Sequence, residues 1–359
     1  MEMISADQMH DIAVGGAVLG TGGGGDPYVG KLMAMQSIKR NGPVKLIEVD
    51  ELNDDDLFAC AAMMGAPTVM LEKFPEGSEI VNAYKKLGEF MGEPVSAVLC
   101  AEAGGLNSTT PFIVASELGL PLVNGDGMGR AFPEIQMVTF TLNGVSATPM
   151  VMSDDKGNSV LLDTIDNKWT ERLARSATVQ MGGAALIALY PMNGAMVKQS
   201  LIRGTVSLCK KIGETLRTAR ICNQNAVEAL RILLGAFVLF EAKILDVDRK
   251  TEGGFARGTA SLKGFNQYED QDYQIDFQNE FLIARKDRVI LVTTPDLITL
   301  LDIDTGEPIT TELLRFGIRV VALGIPSNEK WRTTEGLNLV GPRFFGYDVD
   351  FIPVEDCLI

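Results

Sequence analysis

Polar side chains set among glycines mark where this sequence could do chemistry. The stretch Asp126-Gly-Met-Gly-Arg-Ala-Phe-Pro-Glu134 spaces two carboxylates and a guanidinium evenly, and glycine lets backbone approach a ligand closely. Arg130 could hold a carboxylate or imide oxygen through a two-pronged hydrogen bond. Asp126 could accept a proton or hold a water, and Glu134 joins the same substrate-binding set. The competing reading is an ion pair between Asp126 and Arg130 inside a tight structural turn. A second stretch, Glu102-Ala-Gly-Gly-Leu-Asn107, adds Glu102 as an alternative base and Asn107 as an amide able to read ring N–H and C=O groups.

The third stretch runs from Thr21 through Gly22, Gly23, Gly24 and Gly25 to Asp26-Pro27. Three readings compete for it: an anion site on exposed N–H groups at a helix start, a tight crossing between helices, and a loop lining a substrate site with Thr21 and Asp26 facing it. It is not a P-loop, because no Gly-Lys-Ser/Thr follows. It is not a dinucleotide fingerprint, because a helix rather than a strand precedes it. Asp26 would also repel an incoming anion, so no nucleotide cofactor is expected.

The rest of the composition narrows the chemistry. The chain has one histidine, His10, so a Ser-His-Asp triad or a histidine base would have to use it. It falls beside Asp11 on the first predicted helix, where a solvated residue is expected. Carboxylates, lysines, thiols or backbone dipoles are left to catalyse. The five cysteines are scattered without a CxxC, which reads as reduced core cysteines in a reducing, cytoplasmic setting and excludes a Cys/His structural zinc. Asp54-Asp55-Asp56 reads as a solvated acidic turn rather than a hard-cation site, and Glu72-Lys73 as a surface pair. Asn279-Glu280 could project a carboxylate towards the first domain, although nothing in the spacing requires it. A divalent metal held by carboxylates stays open.

These loops need elements to position them. At 359 residues the chain exceeds one ordinary core, so two domains are expected. With 46% hydrophobic and 22% charged residues the chain is globular rather than disordered. The formal charge of −15, from 32 basic and 47 acidic residues, disfavours nucleic acid and anionic lipid as partners. The start MEMISADQMHDI lacks the basic and apolar segments of a signal peptide. The most apolar stretch, Met181 to Val197, is broken by Pro191 and Asn193, so no membrane span is expected.

Ser5-Ala-Asp-Gln8 is a capping box opening a helix to about Leu19, ended by Gly20. Asp26-Pro27 opens a second helix to about Asn41. Strand-like runs follow at 44–49, 57–63 and 69–71, then a helix over 78–91, a buried strand over 95–100, a helix over 111–118 and a strand at 122–123. This alternation predicts a mainly parallel, helix-covered sheet. Beyond residue 135, Asn143-Gly144 between 137–142 and 145–152 signals a hairpin. Asp155-Lys-Gly157 signals another turn. Helical periodicity returns from about 193 to 235 in two segments parted near Asn223, and 236–325 reads mostly as β. The expected organisation is an α/β domain over 1–165 and a mainly β domain over 166–359 that carries helices near 194–235. Ligands in open α/β sheets bind outside the carboxyl ends of strands, which is where 102–107 and 124–134 fall, with 20–27 as the third wall.

Taken in order, Gly20-Thr-Gly-Gly-Gly-Gly-Asp-Pro27, Met64-Gly-Ala-Pro67, Glu102–Asn107, Asp126–Glu134, Asn279-Glu-Phe-Leu282 and Gly341-Pro-Arg-Phe-Phe-Gly-Tyr-Asp348 resemble the S-methyl thiohydantoin desulfurase family over nearly the whole chain. The Asp126–Glu134 stretch is the most specific of these motifs. One departure is Asn124, where the resemblance leads us to expect Asp. The resemblance implies an N-terminal α/β and a C-terminal mainly β domain, and a cyclic imide substrate. The implied reaction is hydrolysis of an S-methyl thiohydantoin to hydantoin and methanethiol by carboxylate-activated water. It also implies company with hydantoinase- or oxoprolinase-type proteins. The alternative function is a non-catalytic partner or regulatory subunit of such an enzyme. In either role a small-molecule ligand and a homo-oligomeric state are expected.

Overall fold

The computed structural model describes residues 2–25, 27–65, 69 and 77–357. The first sheet is nine-stranded. Its strands are β1 (Glu2–Ile4), β2 (Val44–Ile47), β3 (Leu57–Gly65), β4 (Val95–Cys100), β5 (Leu122–Asp126), β6 (Met150–Ser153), β7 (Ser159–Leu162), β8 (Ala184–Asn193) and β9 (Ile202–Arg203). They lie in the order β1-β2-β5-β4-β3-β8-β6-β7, with β9 pairing to β5. Strands β2, β5, β4 and β3 are mutually parallel. The flanking pairs are antiparallel.

Burial on both faces explains why the parallel strands read as unbroken apolar runs. Leu57, Ala59, Ala61 and Met63 enter one core, beneath the helices Ser78–Met91 and Thr110–Leu118. Phe58, Cys60, Ala62 and Met64 enter the core on the opposite face. The chain beyond residue 165 first returns to this sheet through β8 and β9. It then forms the helices Thr205–Ile221 and Ala226–Leu234 before leaving for the second sheet.

That second sheet is seven-stranded and antiparallel, in the order β14-β13-β12-β11-β10-β16-β15. Its strands are β10 (Phe237–Glu252), β11 (Phe255–Gly264), β12 (Asp272–Gln278), β13 (Glu280–Lys286), β14 (Val289–Thr293), β15 (Leu297–Asp302) and β16 (Arg319–Ile325). The fold is thus a two-domain α/β plus antiparallel β architecture. No helix among the described residues is long and apolar enough to cross a membrane.

One local expectation differs from the structure, and another falls largely outside the described residues. Asn143-Gly144 does not turn a hairpin. Residues Thr139–Leu142 are helical, and the Asn143 and Gly144 N–H groups donate to Phe140 and Thr141 O. A positive-φ glycine closes a helix as readily as it closes a type I′ turn. Burial of Met137, Val138 and Phe140 decides between the two. β6 instead pairs with β7, across the turn where Asp154 Oδ1 accepts from the Lys156 and Asn158 N–H groups. The expected strand at 69–71 lies, apart from Val69, outside the described residues.

The glycine run joins the halves. The helix Met9–Leu19 stops at Gly20, and the backbone then bends with φ of 47° at Thr21, 90° at Gly22, 75° at Gly24 and 83° at Gly25. On one side Thr21 O accepts from Phe281 N at 2.7 Å and Gly22 O from Thr311 N at 2.8 Å. On the other, Gly24 O accepts from Leu106 N at 2.9 Å. A Cβ at Gly24 would stand 2.4 Å from the Gly104 Cα, whereas one at Gly119 (φ +66°) would meet nothing within 4 Å. Gly24→Ala is therefore expected to cost roughly 2–4 kcal/mol by combining strain with a backbone clash, against about 1 kcal/mol for Gly119→Ala. Urea unfolding of the two variants checks this, and equal losses would contradict the packing described.

Candidate active site

A small cleft of about 80 Å³ opens where β3 and β4 end and the second sheet meets the first. Its walls include Gly24 and Gly25 of the bend, Glu102 and Asn107, the segment around Phe132 and Glu134, and the Asn279-Glu280 corner between β12 and β13.

Glu102 follows β4 directly and is buried, 7% exposed. Its partner is held by β3: Met63 N donates to Asn107 Oδ1 at 2.8 Å, and Asn107 Nδ2 donates to Met63 O at 3.2 Å. This fixes which amide atom is which, so Nδ2 also donates to Glu102 Oε1 at 2.5 Å. Burial lifts the Glu102 carboxyl from 4.5 to about 7, and the N–H groups of Asn107 and Phe132 restrain the rise. A carboxyl poised near neutrality on a cleft wall has the properties of a general base.

Glu280, at the start of β13, faces the same cleft from the second domain and is 2% exposed. A Cβ on Gly23 would stand 2.0 Å from its Oε1, so the carboxyl occupies space from which a larger residue there would displace it. Its Oε2 has no hydrogen-bond partner. Burial first, and the nearby Glu102 charge second, raise its pKa well above the ordinary value, with Arg130 opposing.

Two expected catalytic residues are placed elsewhere. Arg130 is 1% exposed and is not part of the cleft wall. Its guanidinium donates to Pro295 O at 2.6 Å, Asp296 O at 3.0 Å and Thr21 Oγ1 at 3.0 Å, and it lies over the Phe132 ring. It is a strut between the domains. Asp126, also 1% exposed, ends β5 and accepts from the Met128 and Gly129 N–H groups through Oδ2. It does not pair with Arg130, so the ion-pair reading of this turn is corrected as well. Burial lifts Asp126 to about 7. Arg130 is drawn inward by the carbonyls of Pro295 and Asp296, and Asp126 by the N–H groups of its own turn at the end of a buried strand.

The remaining candidates divide. Thr21 and Gly22 are taken up by bonds to β13 and Thr311, whereas Gly24 and Gly25 line the cleft. Asp26 lies outside the described residues, as do Ala66, Pro67, Glu72 and Lys73 of the quoted motifs. Glu134 is half-buried at the mouth and accepts from Gln136 Nε2. Asn124 is buried away from the cleft, donating to Glu48 and Ser207. His10 is exposed on its helix beside Lys31, and Asp54 pairs with Lys198 at the surface. Cys60, Cys100 and Cys209 are buried free thiols pushed upward in pKa by burial. Among the described residues, no three His, Cys, Asp or Glu side chains gather as metal ligands would.

One lining residue had no signal in the sequence. Arg175, on the helix Asn167–Gln180, lines the cleft, pairs with Glu171 at 2.7 Å and donates to Pro133 O at 2.9 Å. An arginine on the polar side of an amphipathic helix looks like any solvated residue.

A carboxyl-lined cleft at the joint of an α/β domain and an antiparallel β domain is the class of site defined here. Residues 7–164 match the S-Me-THD-like N-terminal domain and residues 165–354 the S-Me-THD-like C-terminal domain, so the chain belongs to the S-Me-THD-like family. That membership is consistent with a thiohydantoin-related role. A crystal structure of a protein from Chromobacterium violaceum shares the fold, with a TM-score of 0.81 at 23% identity over 99% of this chain and 100% of that one. No curated protein matches the sequence.

The Glu102 shift has a consequence for stability. A folded-state pKa raised from 4.5 to about 7 means the folded protein binds the proton more tightly. The resulting stability is fully present below about pH 4.5 and is lost as pH rises through about 7, amounting to about 3 kcal/mol. Glu102→Gln removes this term. Its unfolding free energy relative to wild type is expected to rise by about 1–3 kcal/mol between pH 5 and pH 8. A pH-independent difference in denaturant titrations would contradict the assignment.

Proposed function

We propose that the protein hydrolyses a small cyclic imide-like ring, namely an S-methyl thiohydantoin, to the hydantoin and methanethiol. The observation that carries this reading is Glu102, a buried carboxyl with a pKa of about 7 on the wall of the cleft at the domain joint. Ionised Glu102 takes a proton from water, and the water oxygen bonds to the ring carbon that carries sulfur. Methanethiolate leaves and takes a proton. Asn107 positions Glu102, while the amide and carboxyl of Asn279 and Glu134 offer further polar contacts on the cleft wall. Gly24 and Gly25 allow close approach of the ring.

Asp126 and Arg130 act in this scheme by position, holding the turn and the domain joint rather than touching the ring. The net charge of −15 supports a small-molecule substrate rather than nucleic acid or anionic lipid. Five free cysteines support a reducing, cytoplasmic setting. A homo-oligomer and a neighbouring hydantoinase- or oxoprolinase-type protein belong to the same proposal.

Methanethiol release from an S-methyl thiohydantoin tests the reading. Glu102→Gln is expected to lose about 100-fold or more in kcat/KM, the usual worth of a general base. The wild-type profile should fall on the acid side of a pKa near 7, because only the ionised carboxylate accepts the proton. Near wild-type rates in Glu102→Gln would overturn the assignment. Silence of the wild type with every ring tried would favour a non-catalytic partner of a hydantoinase-type enzyme.

A further inference from the structure

Glu102 and Glu280 reach the same cleft from different domains. Glu102 comes from the end of β4, and Glu280 from the corner that opens β13. Their surroundings differ in kind. Glu102 is held by a side-chain amide that favours its charged form. Glu280 is 2% exposed, has its Oε2 unpartnered, and lies with its Oε1 where a Cβ on Gly23 would stand. A buried polar atom left without a partner is costly, and it belongs to a residue that lines the cleft.

We propose that Glu280 is the acid of the reaction, donating its proton to the ring nitrogen double-bonded to the carbon that bears sulfur. This deepens the thiohydantoin reading and rests on it. A thioimidate carbon is a poor electrophile until its nitrogen is protonated, and a ring held in the cleft can reach one carboxyl on each side. As water adds its oxygen to carbon, Glu102 takes one water proton and Glu280 gives its proton to nitrogen, so the C=N bond becomes C–NH. The adduct then breaks its C–S bond, with the electron pair leaving on sulfur. The hydroxyl proton of the adduct passes to Glu280 as C=O forms, and the proton on Glu102 passes to the thiolate. Water and the S-methyl thiohydantoin are consumed, hydantoin and methanethiol are formed, and both carboxyls return to their starting states. Two carboxyls whose environments push them towards opposite protonation states divide the roles of base and acid. The like-charge repulsion from Glu102, together with burial, keeps Glu280 protonated.

The test compares wild type and Glu280→Gln on two substrates. One is the neutral S-methyl thiohydantoin. The other is the same ring methylated on both nitrogens, an isothiouronium that has no N–H to lose, carries its positive charge permanently and needs no acid. Glu280→Gln is expected to lose about 100-fold on the neutral ring and to stay within about 3-fold of wild type on the cationic one. A loss on neither substrate, or an equal loss on both, would overturn the proposal while leaving the hydrolytic reading standing. Inactivity of the wild type on the neutral ring would instead remove the hydrolytic reading and the acid assignment with it. If the methylated ring is too large for the wild-type cleft, the alkaline limb of the kcat/KM profile decides. It should be present in wild type and absent from Glu280→Gln, and a limb retained in the variant overturns the assignment.

Discussion

The carboxyl of Glu280 occupies the space that a side chain at position 23 would fill, and much else follows from that contact. It brings the corner between β12 and β13 of the second sheet against the end of the first helix. The same bend receives Phe281 N on Thr21 O, Thr311 N on Gly22 O and Leu106 N on Gly24 O. One short loop thereby satisfies backbone groups from both domains. A side chain within it would separate the sheets and take apart the cleft between them. Polyglycine is entropically costly to order, and here the cost is offset by dense backbone hydrogen bonding on two sides.

Electrostatics reinforce the joint. Arg130 crosses from the 126–134 turn to carbonyls at Pro295 and Asp296 and to the Thr21 hydroxyl. Asp296 in turn accepts from Ser327, Arg332 and the Val354 N–H. Trp331 adds a bond from Nε1 to Met128 O at 2.7 Å. Against this satisfied frame the unpartnered Oε2 of Glu280 stands out. Asp126 Oδ1 is also without a partner, but of these two carboxyls only that of Glu280 belongs to a residue of the cleft wall.

Much of the architecture was legible in the sequence. The parallel strands showed as apolar runs, the helix ends as a capping box and glycines, and the three cleft loops as glycine-rich stretches. Glu102 and Asn107 were readable because they follow a buried strand, the place where such sheets bind ligands. The Asn279-Glu280 pair was visible but had no spacing to raise it above a turn. The inward turn of Asp126 and Arg130 was not legible, because the contacts that seal Arg130 come from residues 295 and 296, far along the chain. Arg175 was hidden for a similar reason: only the folded helix shows that its head bends over Phe255 and into the cleft. Asn143-Gly144 misled because two different structures share one local requirement, a glycine with positive φ.

The account stands on the claim that both domains together form one substrate site. A crystal structure of the protein with hydantoin, the product ring, tests it most directly. The ring is expected in the cleft between Glu102 and Glu280, with the glycine bend against its edge and both carboxyls within hydrogen-bond distance of it. A ring bound away from these carboxyls, with the cleft free of it, would contradict the account.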